Sequence, residues 1–470
     1  MDTSTIAAVA TPEGTGGIGI IRVSGPEAIA AVTAVFRRAP FGQKASGSDK
    51  TDAGGGFQSW RMYLGHILDP HSGTLVDEVI LAVMRAPHSY TREDVVEIQA
   101  HGGSRVLEKI LNLLISQGIR PAQPGEFTRR AFINGRMDLT QAEAVADLIS
   151  ARSDATLDMA VSQMTGQLSD VVSSIRQSLV SVLGSLEAAI DFPEAAGEEF
   201  DGSGQSLHLS REVLQQVNQL REAYESGRFL RQGVQSVIIG RPNVGKSSLM
   251  NCLLNQQRAI VTEVAGTTRD CIEAYLTTRG VSVLVADTAG LRKDPDPIER
   301  LGIEKTREYM ASADIVLHVL DSGRPIDHED VVIYGQLTDK SVVLVKNKAD
   351  LADHEKVLRL PPAMQQAFCI EVSALHGTGI DALKQRVADM VFSSVARVGH
   401  GFVPNWRQKC LLDQAAEAVS KVISGLENWR LPELISIDLH DALSAIDEIT
   451  GKYVETDVLD EIFSRYCVGK

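Results

Sequence analysis

The sequence predicts a multidomain protein with an α+β domain at its N-terminus, an all-α helical domain, and an α/β domain inserted between the two halves of the helical domain. Apolar, β-branched segments typical of strands recur through the first part of the chain. Helical spacing of apolar residues begins at residue 139 and returns after residue 397. Between these stretches, a buried strand, a glycine-rich turn and a helix open the α/β domain. The predicted domain boundaries are therefore 1–120, 121–231, 232–396 and 397–470.

The composition limits the class of protein. A chain of 470 residues is long enough for two to four domains, each with its own core. The chain has 46 Lys and Arg against 61 Asp and Glu, a net charge of −15. Such a chain does not carry the broad positive surface of a protein that mainly grips phosphate backbones. Any contact with nucleic acid must be local, or shared with a more basic partner.

Export and membrane insertion are not expected. No apolar run approaches the roughly 20 residues that cross a membrane. The chain starts M-D-T-S, without the basic and then apolar segments of a signal peptide. Its five cysteines include no C-x-x-C pair, which argues against a disulfide framework and a zinc site. The sequence therefore predicts a cytoplasmic protein with no membrane association.

The N-terminal domain is predicted to contain strands at 18–23, 79–84 and 95–100, and a helix at 105–116. Residues 14–19 match the dinucleotide fingerprint G-x-G-x-x-G literally. They precede a strand instead of opening a helix, so a Rossmann site is excluded.

The helical domain begins with apolar residues spaced three and four apart, which predicts a stripe facing the core. This stripe consists of Ala144, Leu148, Ala151, Leu157, Val161, Met164 and Leu168. A second helical run, 207–230, leads to the α/β domain, and helical spacing resumes from 397 with a break at Pro432.

Residues 240–247, G-R-P-N-V-G-K-S, fit the phosphate-binding P-loop G-x-x-x-x-G-K-[ST]. An apolar strand at 234–239 precedes them and a helix at 248–254 follows, which is the setting that the motif requires. Backbone N–H groups and the helix N-terminus would surround the phosphates. Lys246 would reach the β- and γ-phosphates, and the Ser247 hydroxyl would bind Mg²⁺.

Four further motifs follow in the order of a single GTPase domain. In D-T-A-G, residues 287–290, Asp287 would hold Mg²⁺ through water and the Gly290 N–H would face the γ-phosphate. In N-K-A-D, 347–350, the Asp350 carboxylate can accept two hydrogens from guanine that adenine does not offer, which favours GTP over ATP. S-A-L at 373–375 would close over the base, and G-T-T-R-D at 266–270 supplies a switch threonine.

One position departs from the Ras-like pattern. The residue after D-T-A-G is Leu291, where Ras-like proteins carry the glutamine that orients the attacking water. The sequence also identifies no arginine finger. Hydrolysis must therefore use another polar group and another positive charge.

These motifs together resemble the MnmE family, also called TrmE, of tRNA uridine-modification GTPases. The resemblance rests on G-R-P-N-x-G-K-S, G-T-T-R-D, D-T-A-G-L-R and N-K-A-D, and most specifically on the C-terminal C-V-G-K at 467–470. It extends over nearly the whole chain, including A-T-P at 10–12, H-G-G at 101–103 and P-G-E-F at 124–127.

The resemblance implies a homodimer formed through the N-terminal domains and a P-loop GTPase domain inserted into the helical domain. It also implies a flavoprotein partner, MnmG (GidA), which carries FAD. The pair would add an aminomethyl-type group to the wobble uridine of certain tRNAs. The one-carbon unit would come from 5-formyl- or 5,10-methylene-tetrahydrofolate.

The resemblance also implies site residues. Folate contacts fall on Arg22, Glu97, Arg136 and Lys470, and Cys467 is linked to the modification chemistry. Position 136 is Arg where some relatives have Lys, which keeps the charge but changes the contact geometry. From the residues alone, Arg22 could instead lie on a solvated strand face, and a C-terminal Lys often frays.

The resemblance further implies that hydrolysis is stimulated by K⁺ bound at Asn243, Thr262, Val264 and Thr267, with Mg²⁺ at Ser247 and Thr268. It also implies that Glu299 orients the attacking water, while Lys246 would stabilise the transferred phosphate. The full set of predicted GTP contacts is Asn243, Val244, Gly245, Lys246, Ser247, Ser248, Thr262, Thr267, Thr268, Asp287, Thr288, Ala289, Gly290, Asn347, Lys348, Asp350, Ser373 and Ala374.

A second function stays open at this point. The chain could be a GTP-dependent ribosome-assembly or regulatory switch without folate chemistry. A terminal RNA-binding module, such as a KH domain with its G-x-x-G loop, would favour that function. The sequence shows no such module.

Overall fold

A computed structural model describes residues 4–12, 14–39, 56–191, 203–232, 234–255, 273–278, 281–287, 310, 313–337, 340–351, 360–395 and 401–469. The chain divides into two compact units. The first comprises Met1–Ala146, Ser169–Arg176 and Ser444–Lys470, and the second Asp147–Leu168 and Gln177–Leu443. Parts of the predicted helical domain thus group with the N-terminal region, and the four predicted domain boundaries stay predictions.

The first unit is built on a seven-stranded sheet. Its strands are β1 (Ile6–Val9), β2 (Ile18–Ser24), β3 (Phe36–Arg38), β4 (Arg61–Leu68), β5 (Leu75–Met84), β6 (Val95–His101) and β7 (Arg120–Pro121). Their order is β3-β4-β5-β6-β2-β1-β7. The β1–β7 pair is parallel and the other pairs are antiparallel. The three strands predicted from the sequence correspond to β2, β5 and β6.

One face of this sheet carries the core. Helices α1 (Ala28–Val35) and α2 (Ser104–Ser116) contribute to it, and Ile110 and Leu114 of α2 pack with Ile21 and Ile98 of the sheet. Because strand side chains alternate between faces, Arg22 and Glu97 lie on the opposite face. They sit directly across from each other in the β2–β6 register.

The second unit contains a six-stranded sheet. Its strands are β8 (Val234–Ile239), β9 (Glu273–Thr278), β10 (Val281–Asp287), β11 (Ile315–Asp321), β12 (Ser341–Asn347) and β13 (Phe368–Glu371). The order is β13-β12-β11-β8-β10-β9, with β9 antiparallel to β10 and the other pairs parallel. The carboxyl ends of parallel strands meet at one edge of a sheet, which is where open α/β sheets bind ligands. This sheet confirms the predicted α/β class.

The remaining helices complete both units. They are α3 (Glu126–Ile133), α4 (Leu139–Ser150), α5 (Asp154–Met164), α6 (Gln167–Asp191), α7 (Ser203–Gln232), α8 (Lys246–Asn255), α9 (His328–Gly335), α10 (Ile380–Val395), α11 (Trp406–Glu427), α12 (Pro432–Thr450) and α13 (Thr456–Ser464). Helices α7 and α11 flank the six-stranded sheet in sequence and pack against each other, joined by an Arg221–Asp413 ion pair of 2.6 Å. This pairing confirms that the α/β domain is inserted into the helical domain.

The predicted apolar stripe is wrong over α5. Leu157, Val161 and Met164 are 41%, 39% and 37% exposed. The buried face consists instead of Thr156, Met159, Ala160 and Gln163. The polar side chains of this face can be buried because each has a hydrogen-bond partner. The Thr156 hydroxyl forms a hydrogen bond with the Ser153 hydroxyl at 2.8 Å, and Gln163 Nε2 donates to the carbonyl oxygen of Val403 at 3.3 Å. Within the described ranges, no helix has the length and apolarity to cross a membrane.

Candidate functional site

The P-loop connects β8 to α8, as the motif predicts. Asn243 has φ 63° and Gly245 has φ 97°, both in the left-handed region. A Cβ atom on Gly245 would lie 2.3 Å from Nδ2 of Asn347. Only glycine therefore fits this position, because it tolerates the dihedral and leaves room for the neighbouring amide.

Lys246 is the first residue of α8 and is 7% exposed. Its Nζ donates to the carbonyl oxygens of Gly240 and Arg241, each at 3.0 Å. The loop's own backbone thus fixes the ammonium group beside the N-terminus of α8. Ser247 and Ser248 follow in the first turn and are exposed to solvent.

Asn347 and Lys348 bind the P-loop from the end of β12. Asn347 is 1% exposed, and its Nδ2 donates to the carbonyl oxygen of Val244 at 3.0 Å. Its Oδ1 accepts from the Ala374 backbone N–H at 3.0 Å. Nζ of Lys348 donates to the carbonyl oxygen of Asn243 at 2.8 Å. These bonds connect three of the predicted motifs.

Asp350 contacts the S-A-L segment. The Ser373 hydroxyl donates to Asp350 Oδ1 at 2.5 Å, and the His376 backbone N–H donates to the same hydroxyl at 3.3 Å. The hydrogen bond from Ser373 lowers the pKa of the Asp350 carboxyl below its ordinary value. Asp350 is exposed and stays an acceptor.

Two charged residues of this site were missed by sequence reasoning. Oδ2 of Asp321, at the end of β11, forms a 2.7 Å ion pair with Lys348. Arg241 of the P-loop forms ion pairs with acidic residues at the start of α9. Asp321 could have been found, because a carboxylate that ends a parallel strand lies at the ligand-binding edge. No sequence signal identifies the partners of Arg241.

Several predicted residues lie outside the described residues: Thr262, Val264, Thr267, Thr268, Thr288, Ala289, Gly290 and Glu299. Leu291 lies outside them as well. Asp287 ends β10, where it pairs with Ile238 of β8 in the parallel register. Of the predicted cation ligands, only Asn243 and Ser247 are described.

A second cluster of predicted residues lies in the first unit. Arg22 Nε and Nη2 both bind Glu97 Oε1 at 2.9 Å. The Nη1 of Arg22 donates to the carbonyl oxygen of Gly469 at 3.2 Å. The C-terminal tail thus lies against the N-terminal domain of its own chain. Lys470 is not among the described residues.

Tyr90 connects Arg22 to Arg136. Both guanidinium groups lie over its ring, with Cζ at 5.1 Å for Arg22 and 4.7 Å for Arg136. Arg136 Nη1 also donates to the Tyr90 carbonyl oxygen at 2.8 Å. Cys467 is exposed, and its carbonyl oxygen accepts from the Gly125 N–H at 3.5 Å. Three of the four predicted folate residues are therefore neighbours.

Comparison with known proteins identifies the family. A family model described as the MnmE helical domain matches residues 139–467, and one described as the GTP-binding protein TrmE N-terminus matches residues 5–136. The chain belongs to the MnmE family. The first of these models covers well over half of the chain, and the second covers the seven-stranded sheet.

Relatives in this family match from end to end. "tRNA modification GTPase MnmE" of Natranaerobius thermophilus is 40% identical over 473 residues, covering 100% of both chains. The proteins of that name from Carboxydothermus hydrogenoformans and Moorella thermoacetica are 42% and 43% identical, each covering 99% of both chains. Among solved structures, Aquifex aeolicus Era bound to GDP and AlF4⁻ is 24% identical, covers 39% of this chain and 65% of its own, and has a TM-score of 0.27.

Proposed function

We propose that this chain is a GTP-hydrolysing enzyme of tRNA modification. The observation that carries the proposal is the connection of the P-loop to N-K-A-D: Asn347 and Lys348 donate to P-loop carbonyl oxygens, and Asp350 of the same motif contacts Ser373. These contacts support one site in which the P-loop would bind the phosphates and Asp350 would read guanine. Family membership supports tRNA as the substrate, because the full-length relatives are named for its modification.

GTP would be bound by groups of the P-loop that are already in position. The backbone N–H groups of residues 243–248 would surround the phosphates, and Lys246 would add a positive charge. The exposed Ser247 hydroxyl would hold Mg²⁺, and bound Mg²⁺ supplies positive charge at the phosphate oxygens. Asp350 would accept hydrogen bonds from guanine. Asp287, Thr288, Ala289, Gly290 and Thr268 would complete the site.

Hydrolysis would use K⁺ in place of an arginine finger. Asn243 supports this, since it is exposed and puts an amide oxygen on the loop. Thr262, Val264 and Thr267 would be the remaining ligands. Glu299 would orient the attacking water in place of Leu291, through a carboxylate within hydrogen-bond reach.

The first unit would bind a tetrahydrofolate, 5-formyl or 5,10-methylene. Arg22 binds Oε1 of Glu97, and Oε2 would accept from the N–H groups of a pterin. Arg22, Arg136 and Lys470 would meet the carboxylates or carbonyl oxygens of the ligand. Cys467 would act on the one-carbon unit.

The enzyme would work as a homodimer with the flavoprotein MnmG, which carries FAD, in the cytoplasm. Support for the dimer comes from the sheet face opposite the core. Ile18, Met62 and Ile80 on this face are 65%, 67% and 37% exposed. An exposed apolar sheet face of this kind is typical of a protein interface.

Reconstitution tests the proposal. The chain is incubated with MnmG, tRNA, GTP, a tetrahydrofolate and K⁺, and the wobble nucleoside is measured by mass spectrometry. We expect the modified uridine only when both proteins are present. GTP hydrolysis without any modified uridine would favour the regulatory-switch function instead.

A further inference from the structure

Arg241 is the second residue of the P-loop and has no role in the site proposed so far. Its guanidinium faces three carboxylates at the start of α9. The Nε lies 3.1 Å from Glu329 Oε2, Nη2 lies 3.1 Å from Asp327 Oδ2, and Nη1 lies 3.8 Å from Asp330 Oδ2. All three guanidinium nitrogens therefore have an acidic partner.

Two of the three carboxylates, those of Asp327 and Asp330, are themselves held in place. Asp327 caps α9, and Asp327 and Asp330 form a reciprocal capping box in which the Asp327 N–H donates to Asp330 Oδ2 at 3.0 Å. Asp330 is 5% exposed, and its Oδ1 is buried without a partner. The positive end of the helix dipole favours negative charge here. Arg241 is thus bound to a rigid acidic group.

The backbone of Arg241 binds Lys246. Its carbonyl oxygen accepts from Lys246 Nζ at 3.0 Å, as that of Gly240 does. Anything that fixes the Arg241 backbone also fixes one of the two acceptors that orient this ammonium group. The side-chain ion pairs of one residue and the position of the catalytic lysine are therefore coupled through a single peptide unit.

We propose that Arg241 is a positioning residue for Lys246. The carboxylates of α9 hold the guanidinium, the guanidinium holds the Arg241 backbone, and the carbonyl oxygen places the lysine for the phosphates. Transition-state stabilisation requires charge that is already in position, so a loosely held lysine lowers turnover. This inference rests on the proposed GTPase function.

The test compares Arg241→Gln with Arg324→Gln. Arg324 is a matched control, because it lies on the segment before α9 but its side chain is 73% exposed, with its nearest acidic atom at 3.9 Å. We expect Arg241→Gln to lower kcat for GTP about tenfold, because a small displacement of Lys246 would weaken one contact in the transition state. Affinity for fluorescent GDP should fall about threefold, since Lys246 also meets the β-phosphate. Arg324→Gln should leave both quantities unchanged.

Two further variants separate positioning from a general loss of structure. Arg241→Lys keeps a charge that can meet one carboxylate, so it should recover part of the lost kcat. In a double-mutant cycle, Glu329→Gln should add nothing to Arg241→Gln, because both remove the same contact. Effects that multiply in the double variant would overturn the proposal. If Arg241→Gln does not fold, Glu329→Gln alone should still lower kcat, and an unchanged kcat would overturn it.

Failure of this inference is distinguishable from failure of the proposed function. A wild-type chain that neither binds GDP nor hydrolyses GTP would overturn both. A wild-type chain that does both, with Arg241→Gln equal to it in kcat and GDP affinity, would overturn only the role of Arg241.

Discussion

At the scale of single residues, we predict that Asp350 determines which base the site accepts. Its carboxylate is an acceptor, and the hydrogen bond from Ser373 lowers its pKa below the ordinary value. We expect Asp350→Asn to weaken GTP binding about tenfold to a hundredfold, since a hydrogen bond to a charged group contributes roughly 1.5–3 kcal/mol. A calorimetric titration measures this.

The matched control for this change is Asp381→Asn, an exposed carboxylate in the first turn of α10. Its GTP affinity should equal that of the wild type. The amide of Asp350→Asn can donate to xanthine, which has a carbonyl where guanine has an amine, so affinity for XTP should rise. Unchanged GTP affinity in Asp350→Asn would show that Asp350 does not bind guanine.

His318 lies in the middle of β11 and is fully buried, with neither ring nitrogen partnered among the described residues. Burial lowers its pKa from 6.5 to about 4. In the unfolded chain His318 binds a proton below about pH 6.5, whereas in the folded chain it does so only near pH 4. Protonation of His318 therefore does not reduce the free energy of unfolding above pH 6.5. As the pH drops from 6.5 towards 4, it reduces that free energy by about 3 kcal/mol in all.

Thermal unfolding at pH 7 and pH 4.5 checks this for the wild type and for His318→Leu. The leucine variant has no group to protonate, so its melting temperature should fall less between the two pH values. Equal falls in both proteins would show that His318 does not control the acid sensitivity of this sheet.

At the scale of elements, the P-loop places Asn243, the proposed K⁺ ligand, in a left-handed backbone conformation. Asn243 adopts φ 63° and is held by Lys348 through its carbonyl oxygen, which leaves its side chain exposed. With this amide as a K⁺ ligand, GTP hydrolysis should be faster in K⁺ than in Na⁺. Asn243→Ala should lose the difference but keep its rate in Na⁺. Equal rates in the two salts for the wild type would contradict a K⁺ site.

The C-terminal tail is the second element with a testable contact. Gly469 has φ 96°, and an added Cβ would lie 2.4 Å from the carbonyl oxygen of Val9. We expect Gly469→Ala to displace the tail from Arg22 and to speed amide hydrogen exchange at residues 465–469. Gly17→Ala, where an added Cβ meets nothing within 4 Å, is the control. Unchanged exchange in Gly469→Ala would mean that this contact does not hold the tail.

At the scale of the whole molecule, GTP hydrolysis and tRNA modification should be separable. The P-loop and Cys467 belong to different compact units. We expect Cys467→Ser to keep GTP hydrolysis and folate binding and to abolish tRNA modification in the presence of MnmG. Nucleoside mass spectrometry and phosphate release measure the two activities. Full modification by this variant would reject a catalytic cysteine, and loss of hydrolysis as well would indicate a structural role.

Local signals in the sequence were enough to predict several strands and helices and the nucleotide motifs. Strands such as β8 and β12 are short apolar runs, and the P-loop glycines impose a turn whose dihedrals few other residues adopt. These signals are local in the chain. The helical periodicity correctly predicted α5 as a helix but not its buried face, because Gln163 is buried by a partner, Val403, that lies 240 residues away.

Tertiary structure alone decided which distant residues meet. Arg22 and Gly469 are 447 positions apart, and Arg241 and Glu329 are 88 apart. Such contacts depend on strand order and helix packing, which bring together residues that have no spacing relation in sequence. Arg22 and Arg241 could be named from the sequence, whereas the contacts of Arg22 with Gly469 and of Arg241 with Glu329 could not. The ion pair between Asp321 and Lys348 became visible only once β11 and β12 lay side by side.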